Sequence, residues 1–338
     1  MRSTSRLPAL DCGRGSLPRW LAPVVPIRSA KGCANGMRRV LILGATGFLG
    51  RHVFRRLAHD RDLTVITSGR SPLAASPWHI PLDLGVCGAE AIGSMLQAVM
   101  PDVVVNCVGV TSGDPAAMVA GNVTATSSLV GALLESQLPI RLVHLGCSAE
   151  YGMVDEGRPI NEDAPVRPAG TYGVTKLAGT RLVLTARTAG LEATVLRVFS
   201  AIGPGMSVGS VAGRVVAEIR RAAGAGGDVV LGPLDVVRDF VDARDVAGAV
   251  EAAVTVGSLD WPVVNVGSGQ GIPLRTLADT MTRIVGLHGE IREDDAKPGR
   301  APEIPWQQAD VTIAERSLGW HPRIGLATSL ADLWCATM

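Results

Sequence analysis

Tyr172 and Lys176 stand four residues apart in Tyr172-Gly173-Val174-Thr175-Lys176. That spacing puts both side chains on one face of a helix. A lysine ammonium beside a phenol favours the phenolate and draws down a pKa of about 10. Such a tyrosine can give or take a proton as general acid or base near neutral pH. Ser148, at the tip of an earlier apolar strand pattern, offers a hydroxyl for the same substrate oxygen. The chain has only two tyrosines, so tyrosine is not general core filler. The other, Tyr151, follows Ser148-Ala149-Glu150, and its placement also points to chemistry.

A second motif, Gly44-Ala45-Thr46-Gly47-Phe48-Leu49-Gly50, follows a strand pattern directly and opens a helical one. In that context the three glycines let the backbone turn tightly and approach a pyrophosphate, whose charge faces the helix N-terminus. Dinucleotide binding is the expectation. NAD-specific turns carry an acid at the end of the second strand for the ribose 2′-hydroxyl. Here that strand ends Thr67-Ser68-Gly69-Arg70, without one. Arg70 and the Ser68 hydroxyl suit a 2′-phosphate instead, so NADP is expected, with NAD the alternative. Asp83, at the end of the third strand pattern, is placed to reach the adenine amino group.

The elements that must hold these groups are legible as a rhythm. Short β-branched runs over 40–43, 63–67, 80–83, 103–106, 142–145 and 193–198 alternate with helical patterns over 48–59, 89–100, 116–137 and 170–189. Apolar strands separated by helices of a dozen residues predict a parallel sheet covered on both faces. Right-handed crossovers then make the fold class α/β, a doubly wound parallel sheet (Rossmann). After about residue 200 the rhythm changes. A helix is expected over 211–223, strands over 237–241 and 263–266 with a helix over 246–256 between them. Two or three further helices and an irregular stretch over 294–306 complete the tail. The domain expectation is a nucleotide-binding core over 37–200 plus 237–268 and a smaller C-terminal substrate lobe over 201–236 plus 269–338.

Composition bounds the rest. A hydrophobic fraction of 47% and a mean hydropathy of +0.27 in 338 residues allow a sizeable core. The first 36 residues hold six basic residues and one acid, so a formal net charge of +1 leaves about −4 for the remainder. They read as a disordered leader or as sequence upstream of a working start at Met37; an organellar transit peptide is the alternative. No basic face suggests nucleic acid. No uninterrupted apolar run of 18 residues suggests a membrane span. Six cysteines without a C-x-x-C pair, and six dispersed histidines, predict a reducing, cytoplasmic setting and no metal site. Trp306 is a candidate contact to a base.

Several further segments carry a resemblance: Asn106-Cys107-Val108-Gly109, Asn122-Val123, Ser148 to Gly152, Leu196-Arg197-Val198-Phe199, Gly203-Pro204-Gly205 and Val237-Arg238-Asp239-Phe240-Val241. With the glycine turn and the Tyr172 to Lys176 motif, they make residues 38–335 resemble the extended short-chain dehydrogenase/reductases, the nucleotide-sugar epimerase/dehydratase group. The resemblance implies a triad of Ser148, Tyr172 and Lys176, with Lys176 also holding the nicotinamide ribose. It implies cofactor contacts at Gly44, Thr46, Gly47, Phe48, Leu49, Gly50, Ser68, Arg70, Asp83 and Leu84. Further cofactor contacts fall at Cys107, Val108, Gly109, Asn122 and Phe199. Ser148, Ser200, Arg238 and Arg300 would meet a nucleotide-diphosphate sugar, and a homodimer through the helices over 116–137 and 170–189 is the family-like expectation.

Two departures matter. Ser200 stands where these enzymes usually carry asparagine. The stretch Gly146 to Tyr151 is one residue shorter before its tyrosine than the commonest form, so the hydroxyl position falls on Ser148 or on Cys147. The preserved Ser-x-Glu, and the ease with which cysteine fits a strand core, favour Ser148. Ala149 replaces the aspartate of the Thr-Asp-Glu run in sugar 4,6-dehydratases, which argues against dehydration and leaves Glu150 with a structural role. Within the group the chain looks most like the GDP-4-keto-6-deoxymannose reductases. The expected function is NAD(P)H-dependent reduction of a nucleotide-linked 4-keto-6-deoxyhexose. The alternatives are a 4-epimerase with tightly held NAD and, from another class, a non-catalytic NAD(P)-binding sensor or scaffold.

Overall fold

Strands such as Val-Val-Val-Asn and Ala-Thr-Val-Leu-Arg-Val have no polar face, so they are stable only where both faces are covered. The computed structural model describes residues 37–294 and 304–336 and gives them that environment. Strands β1 (Arg38–Leu43), β2 (Leu63–Gly69), β3 (His79–Pro81), β4 (Val103–Asn106), β5 (Arg141–Cys147), β6 (Ala193–Val198) and β10 (Val263–Val266) form one sheet in the order β10-β6-β5-β4-β1-β2-β3. Every neighbouring pair in it is parallel. The doubly wound expectation holds. The order reverses between β1 and β4, and a ligand crevice in such a sheet lies at the strand ends beside that reversal. Both the Gly44 turn and Cys107 come directly after strands at this point.

Helices cover the two faces: α1 (Phe48–Leu57), α2 (Ala89–Val99), α3 (Pro115–Val119), α4 (Ala125–Ser136), α5 (Thr171–Thr188) and α7 (Ala243–Thr255). The single helix expected over 116–137 is instead α3 and α4 joined by a π-turn, Ala120–Thr124. Such a turn inserts one residue and rotates the next helical turns relative to the first. The combined segment Pro115–Ser136 is long and apolar enough to cross a membrane by composition, but Leu129, Ala132 and Leu133 pack inward against the domain.

Beyond the sheet lie strands that sequence periodicity missed because they are three residues long: β7 (Ser200–Ile202), β8 (Val229–Leu231), β11 (Gly271–Pro273) and β12 (Ile291–Glu293). They assemble around β9 (Val237–Asp242) as a three-stranded sheet β11-β9-β7, and as a separate pair β12-β8. Helices α6 (Val211–Ala225), α8 (Leu274–Val285) and α10 (Leu326–Ala336) pack with them around Val215, Ile219, Phe240, Leu277 and Met281, a hydrophobic cluster distinct from the one beneath the main sheet. Helix α9 (Thr312–Leu318) returns to the main cluster. Residues 1–36 and Arg300 lie outside the described residues.

Candidate active site

The glycine turn is built by close approach. Gly44 has φ +75°, and a Cβ there would stand 3.0 Å from the Val108 nitrogen; at Gly50 it would stand 2.2 Å from the Gly44 carbonyl oxygen. Gly47 begins α1 with no side-chain cap, which leaves the helix terminus to an outside anion. Phe48 and Leu49 are half-buried in the first turn, and the Thr46 carbonyl accepts from Arg51 at 3.1 Å. At the end of β2 the Ser68 hydroxyl is buried with no hydrogen-bond partner among the described residues, and Arg70 is exposed beside it. A cradle closed to any Cβ and an unpaired buried hydroxyl at the neighbouring strand end fit a dinucleotide.

Around that cradle the remaining predicted contacts divide. Asp83 opens a turn, one carboxylate oxygen accepting from Gly85 N–H at 3.0 Å. Leu84 and Phe199 are buried side chains, so only their backbones could meet a ligand. Asn122 is turned inward, against the expectation of a cofactor contact. Its Oδ1 accepts from Val110 N–H at 2.8 Å, and its Nδ2 donates to the Val110 carbonyl at 2.9 Å and to Thr175 Oγ1 at 3.0 Å. The π-turn thus aims Asn122 at the loop after β4 and locks it onto α5.

Tyr172 and Lys176 share a face of α5 as their spacing requires. A Cβ at Gly173 would lie 2.6 Å from the Ala149 carbonyl oxygen, so glycine there lets α5 settle on the turn Ser148–Glu150. Lys176 is buried and donates from Nζ to the Leu145 carbonyl at 2.6 Å. Its ammonium approaches Gly109, where a Cβ would be 3.9 Å away. Burial draws the Lys176 ammonium down, while Glu150, Cys147 and Cys107 oppose that. The Cys107 thiol is pushed up to about 12, chiefly by burial. Burial, the Cys147 thiol and Glu150 hold the Tyr172 phenol well above its usual range. That is the reverse of the lowering expected from Lys176 alone, because desolvation of the phenolate, the Cys147 thiol and Glu150 all act in the raising direction.

The serine position also differs from expectation. Ser148 is buried, and its hydroxyl donates to Gln307 Oε1 at 3.0 Å. Gln307 Nε2 donates back to the Ser148 carbonyl at 2.9 Å. Cys147, half-buried at the end of β5, is the neighbour that acts on Tyr172, its thiol raising the phenol. The physical reason is the tight turn after Cys147: Ala149 N–H reaches the Cys147 sulfur at 3.4 Å, and the next residue, Ser148, is rotated into the protein.

Glu150 and Tyr151 belong to a buried support beneath this turn. Glu150 Oε1 accepts from Cys147 N–H at 2.8 Å and from Thr180 Oγ1 at 2.9 Å, while its Oε2 pairs with Arg197 Nε at 2.9 Å. Arg197 lies over the Tyr151 ring at 4.6 Å, and the Tyr151 hydroxyl donates to Asn265 Oδ1 at 2.7 Å. Tyr151 is therefore a core residue with a satisfied hydroxyl, contrary to the chemistry its scarcity suggested. Burial pushes that hydroxyl up to about 12.

On the far side, Ser200 opens β7 half-buried, and Arg238 on β9 donates from Nη1 to the Val237 carbonyl at 2.8 Å. The adjacent Asp239 is fully buried. It accepts from Ser268 N–H and Oγ at 2.5 and 2.7 Å, Gly269 N–H at 2.9 Å and Ala309 N–H at 3.0 Å. This carboxylate ties β9 to the chain on either side. The indole nitrogen of Trp306 is buried and has no partner among the described residues. Sequence reasoning missed Gln307, which lies in a short segment without periodicity. Among the described residues no group of His, Cys, Asp or Glu is arranged to hold a metal.

Comparison with known proteins finds a family match, curated relatives and a solved structure of the same fold. The NAD dependent epimerase/dehydratase family matches residues 40–267. The dTDP-6-deoxy-L-talose 4-dehydrogenase (NAD(P)(+)) of Kitasatospora kifunensis is 37% identical over 303 residues, covering 88% of this chain and 95% of that protein. The GDP-6-deoxy-D-mannose reductase of Pseudomonas aeruginosa is 29% identical over 303 residues, covering 87% and 95%. The solved structure of RMD from Pseudomonas aeruginosa complexed with NADPH superposes with a TM-score of 0.74 at 27% identity, covering 88% of this chain and 98% of that one.

Proposed function

We propose that this chain, which belongs to the NAD dependent epimerase/dehydratase family, is an NADP(H)-dependent oxidoreductase that reduces a nucleotide-linked 4-keto-6-deoxyhexose. The observation that carries the reading is the meeting of a proton donor and a dinucleotide cradle at one end of one sheet. Tyr172 and Lys176 lie on one face of α5, and Lys176 reaches the loop that packs on the Gly44 turn. The names of two relatives, a 6-deoxy-talose 4-dehydrogenase and a 6-deoxy-mannose reductase, both describe keto–hydroxyl exchange on a nucleotide-linked 6-deoxyhexose.

Gly44, Gly47 and Gly50 would admit the pyrophosphate, Ser68 and Arg70 the 2′-phosphate, Asp83 the adenine, and Lys176 the nicotinamide ribose. When bound, the nicotinamide supplies the hydride that converts the ketone carbon to a carbinol. Tyr172 gives its phenolic proton to the ketone oxygen. A phenol held well above its usual range is protonated at neutral pH, which is the form that reduction consumes. Glu150, anchored by Arg197, fixes the turn against which Tyr172 sits.

Arg238 and Ser200 would contact the substrate, with Arg300 a further phosphate contact. We divide the chain into a cofactor core over 37–200 plus 237–268 and a substrate lobe over 201–236 plus 269–338, the latter supported by its own hydrophobic cluster. A homodimer through α4 and α5 is supported by an exposed apolar side chain on each, Leu134 and Val174. None of the four described cysteines forms a disulfide, in keeping with a reducing cytoplasmic setting.

The test is NADPH oxidation by the purified full chain with GDP-4-keto-6-deoxymannose and dTDP-4-keto-6-deoxyglucose, beside Tyr172→Phe. Turnover lost in the variant supports the reductase and identifies the nucleotide. No turnover with either, and NAD carried through purification, would replace the reading with a 4-epimerase.

A further inference from the structure

We infer that Cys147, and not Ser148, is the side chain that pairs with Tyr172 at the substrate carbonyl, so that this site is a thiol–phenol site. The inference rests on the oxidoreductase reading proposed for the chain.

Three observations on different atoms converge. First, Ser148 has one hydroxyl proton and gives it to Gln307 Oε1, while the Ser148 carbonyl is taken by Gln307 Nε2. Ser148 is 5% exposed, so reaching a ligand would break that pair. Second, Cys147 is half-buried and ends β5 at the turn on which α5 settles, Gly173 standing against the Ala149 carbonyl next to Tyr172, and the thiol is among the groups that raise the phenol. Third, the Cys147 sulfur accepts from Ala149 N–H. Its own S–H proton is then left for an oxygen outside the turn, either the phenol or the carbonyl that the phenol protonates. Cys147 N–H is also fixed by Glu150 Oε1, and Glu150 by Arg197, so the buried ion pair places the thiol.

The chemical consequence is specific. A thiol is a weaker donor than a hydroxyl, and its longer C–S bond carries the donor further from the strand. Cys147 therefore orients the ketone while Tyr172 supplies the proton, and no bond to sulfur forms. A second consequence is accessibility: a half-buried Cys147 thiol that faces the carbonyl site should be shielded from an alkylating agent by bound NADP.

The experiment combines turnover with peptide-mapped alkylation of the full chain. Cys147→Ala should lower kcat on the order of 10-fold or more, as loss of an oriented donor does, with the KM for NADPH little moved. Cys147→Ser should restore kcat to wild type or above it. Ser148→Ala should reduce kcat at least several-fold less than Cys147→Ala. Loss of kcat in Ser148→Ala with Cys147→Ala at wild-type rate would overturn the assignment and return the role to Ser148. Alkylation by iodoacetamide needs no substrate. Labelling of Cys147 that saturating NADP suppresses several-fold supports the placement, and labelling at equal rates overturns it. If wild type and Tyr172→Phe are equally without turnover, the oxidoreductase reading fails, and the alkylation result alone decides where Cys147 sits.

Discussion

Ser148 and Gln307, 159 positions apart in the chain, satisfy one another twice, hydroxyl to amide oxygen at 3.0 Å and amide nitrogen to carbonyl at 2.9 Å. Gln307 N–H also donates to the Val237 carbonyl at 3.1 Å, so the segment that pins the active-site turn is itself pinned to β9, the strand of Arg238. The two predicted ends of the substrate, ketone and diphosphate, are thereby joined through one glutamine.

Gln307→Ala strands a buried hydroxyl and a buried carbonyl. Two lost hydrogen bonds, with their partners left dry, should destabilise the fold by about 2–4 kcal/mol. In thermal unfolding that is a fall of roughly 3–6 °C for a chain of this size. Gln307→Glu keeps the acceptor but sets a buried carboxylate oxygen against the Ser148 carbonyl, so it should cost at least as much. A Gln307→Ala melting point equal to wild type would show that water replaces the amide without penalty.

Gly50→Ala should abolish cofactor binding while leaving much of the fold. Its Cβ would lie 2.2 Å from the Gly44 carbonyl oxygen and 2.9 Å from the Ala45 Cα. Both are backbone atoms, which cannot rotate away. Helix α1 must therefore retreat from the turn, carrying with it the amide groups that would face a pyrophosphate. We expect NADPH affinity, measured by nucleotide fluorescence, to drop at least 100-fold, a change of about 2.7 kcal/mol.

The range of each signal decided how far the sequence could be read. The glycine turn and the Tyr172–Lys176 spacing are local, and the apolar strands between helices leave one sheet class; these parts agree with the structure. The direction of Cys147 and Ser148 was not legible. It depends on a turn closed by a backbone-to-sulfur bond and on Gln307, a partner 159 positions away. Asn122 misled for a related reason, since the π-turn that rotates it inward leaves no mark in the pattern of apolar residues. Tyr151 misleads because scarcity suggests chemistry, whereas a buried phenol with Arg197 on its face and Asn265 at its hydroxyl is core. The three-residue strands β7, β8, β11 and β12 are too short for any period to register.

Arg70 tests cofactor choice. It is exposed at the end of β2, beside the unpaired Ser68 hydroxyl. An exposed guanidinium that grips a 2′-phosphate contributes roughly 1–2 kcal/mol as a charge-assisted pair. Arg70→Ser should therefore raise the KM for NADPH on the order of 10-fold and leave that for NADH within about twofold. An equal change for both cofactors would place Arg70 outside the 2′-phosphate site.

His144 sets an acid limit on stability. Asn106 Oδ1 accepts from Val108 N–H at 3.1 Å, so Asn106 Nδ2 faces His144 Nδ1, also at 3.1 Å. That ring nitrogen must accept and cannot carry a proton. Burial, with Lys176 adding to it, holds the folded His144 well below 6.5, and burial lowers His52 as well. For a base whose folded pKa is depressed, the unfolded chain binds the proton first. Stability is then complete above pH 6.5 and falls as pH drops below it, by up to about 1.4 kcal/mol per pH unit for each such histidine. Melting points recorded from pH 7.5 to 5.5 should decline, and His144→Gln should make that decline shallower while lowering stability at pH 7.5. The same slope in wild type and His144→Gln would mean that His144 takes up its proton without unfolding, and the tautomer assigned from Asn106 would be wrong.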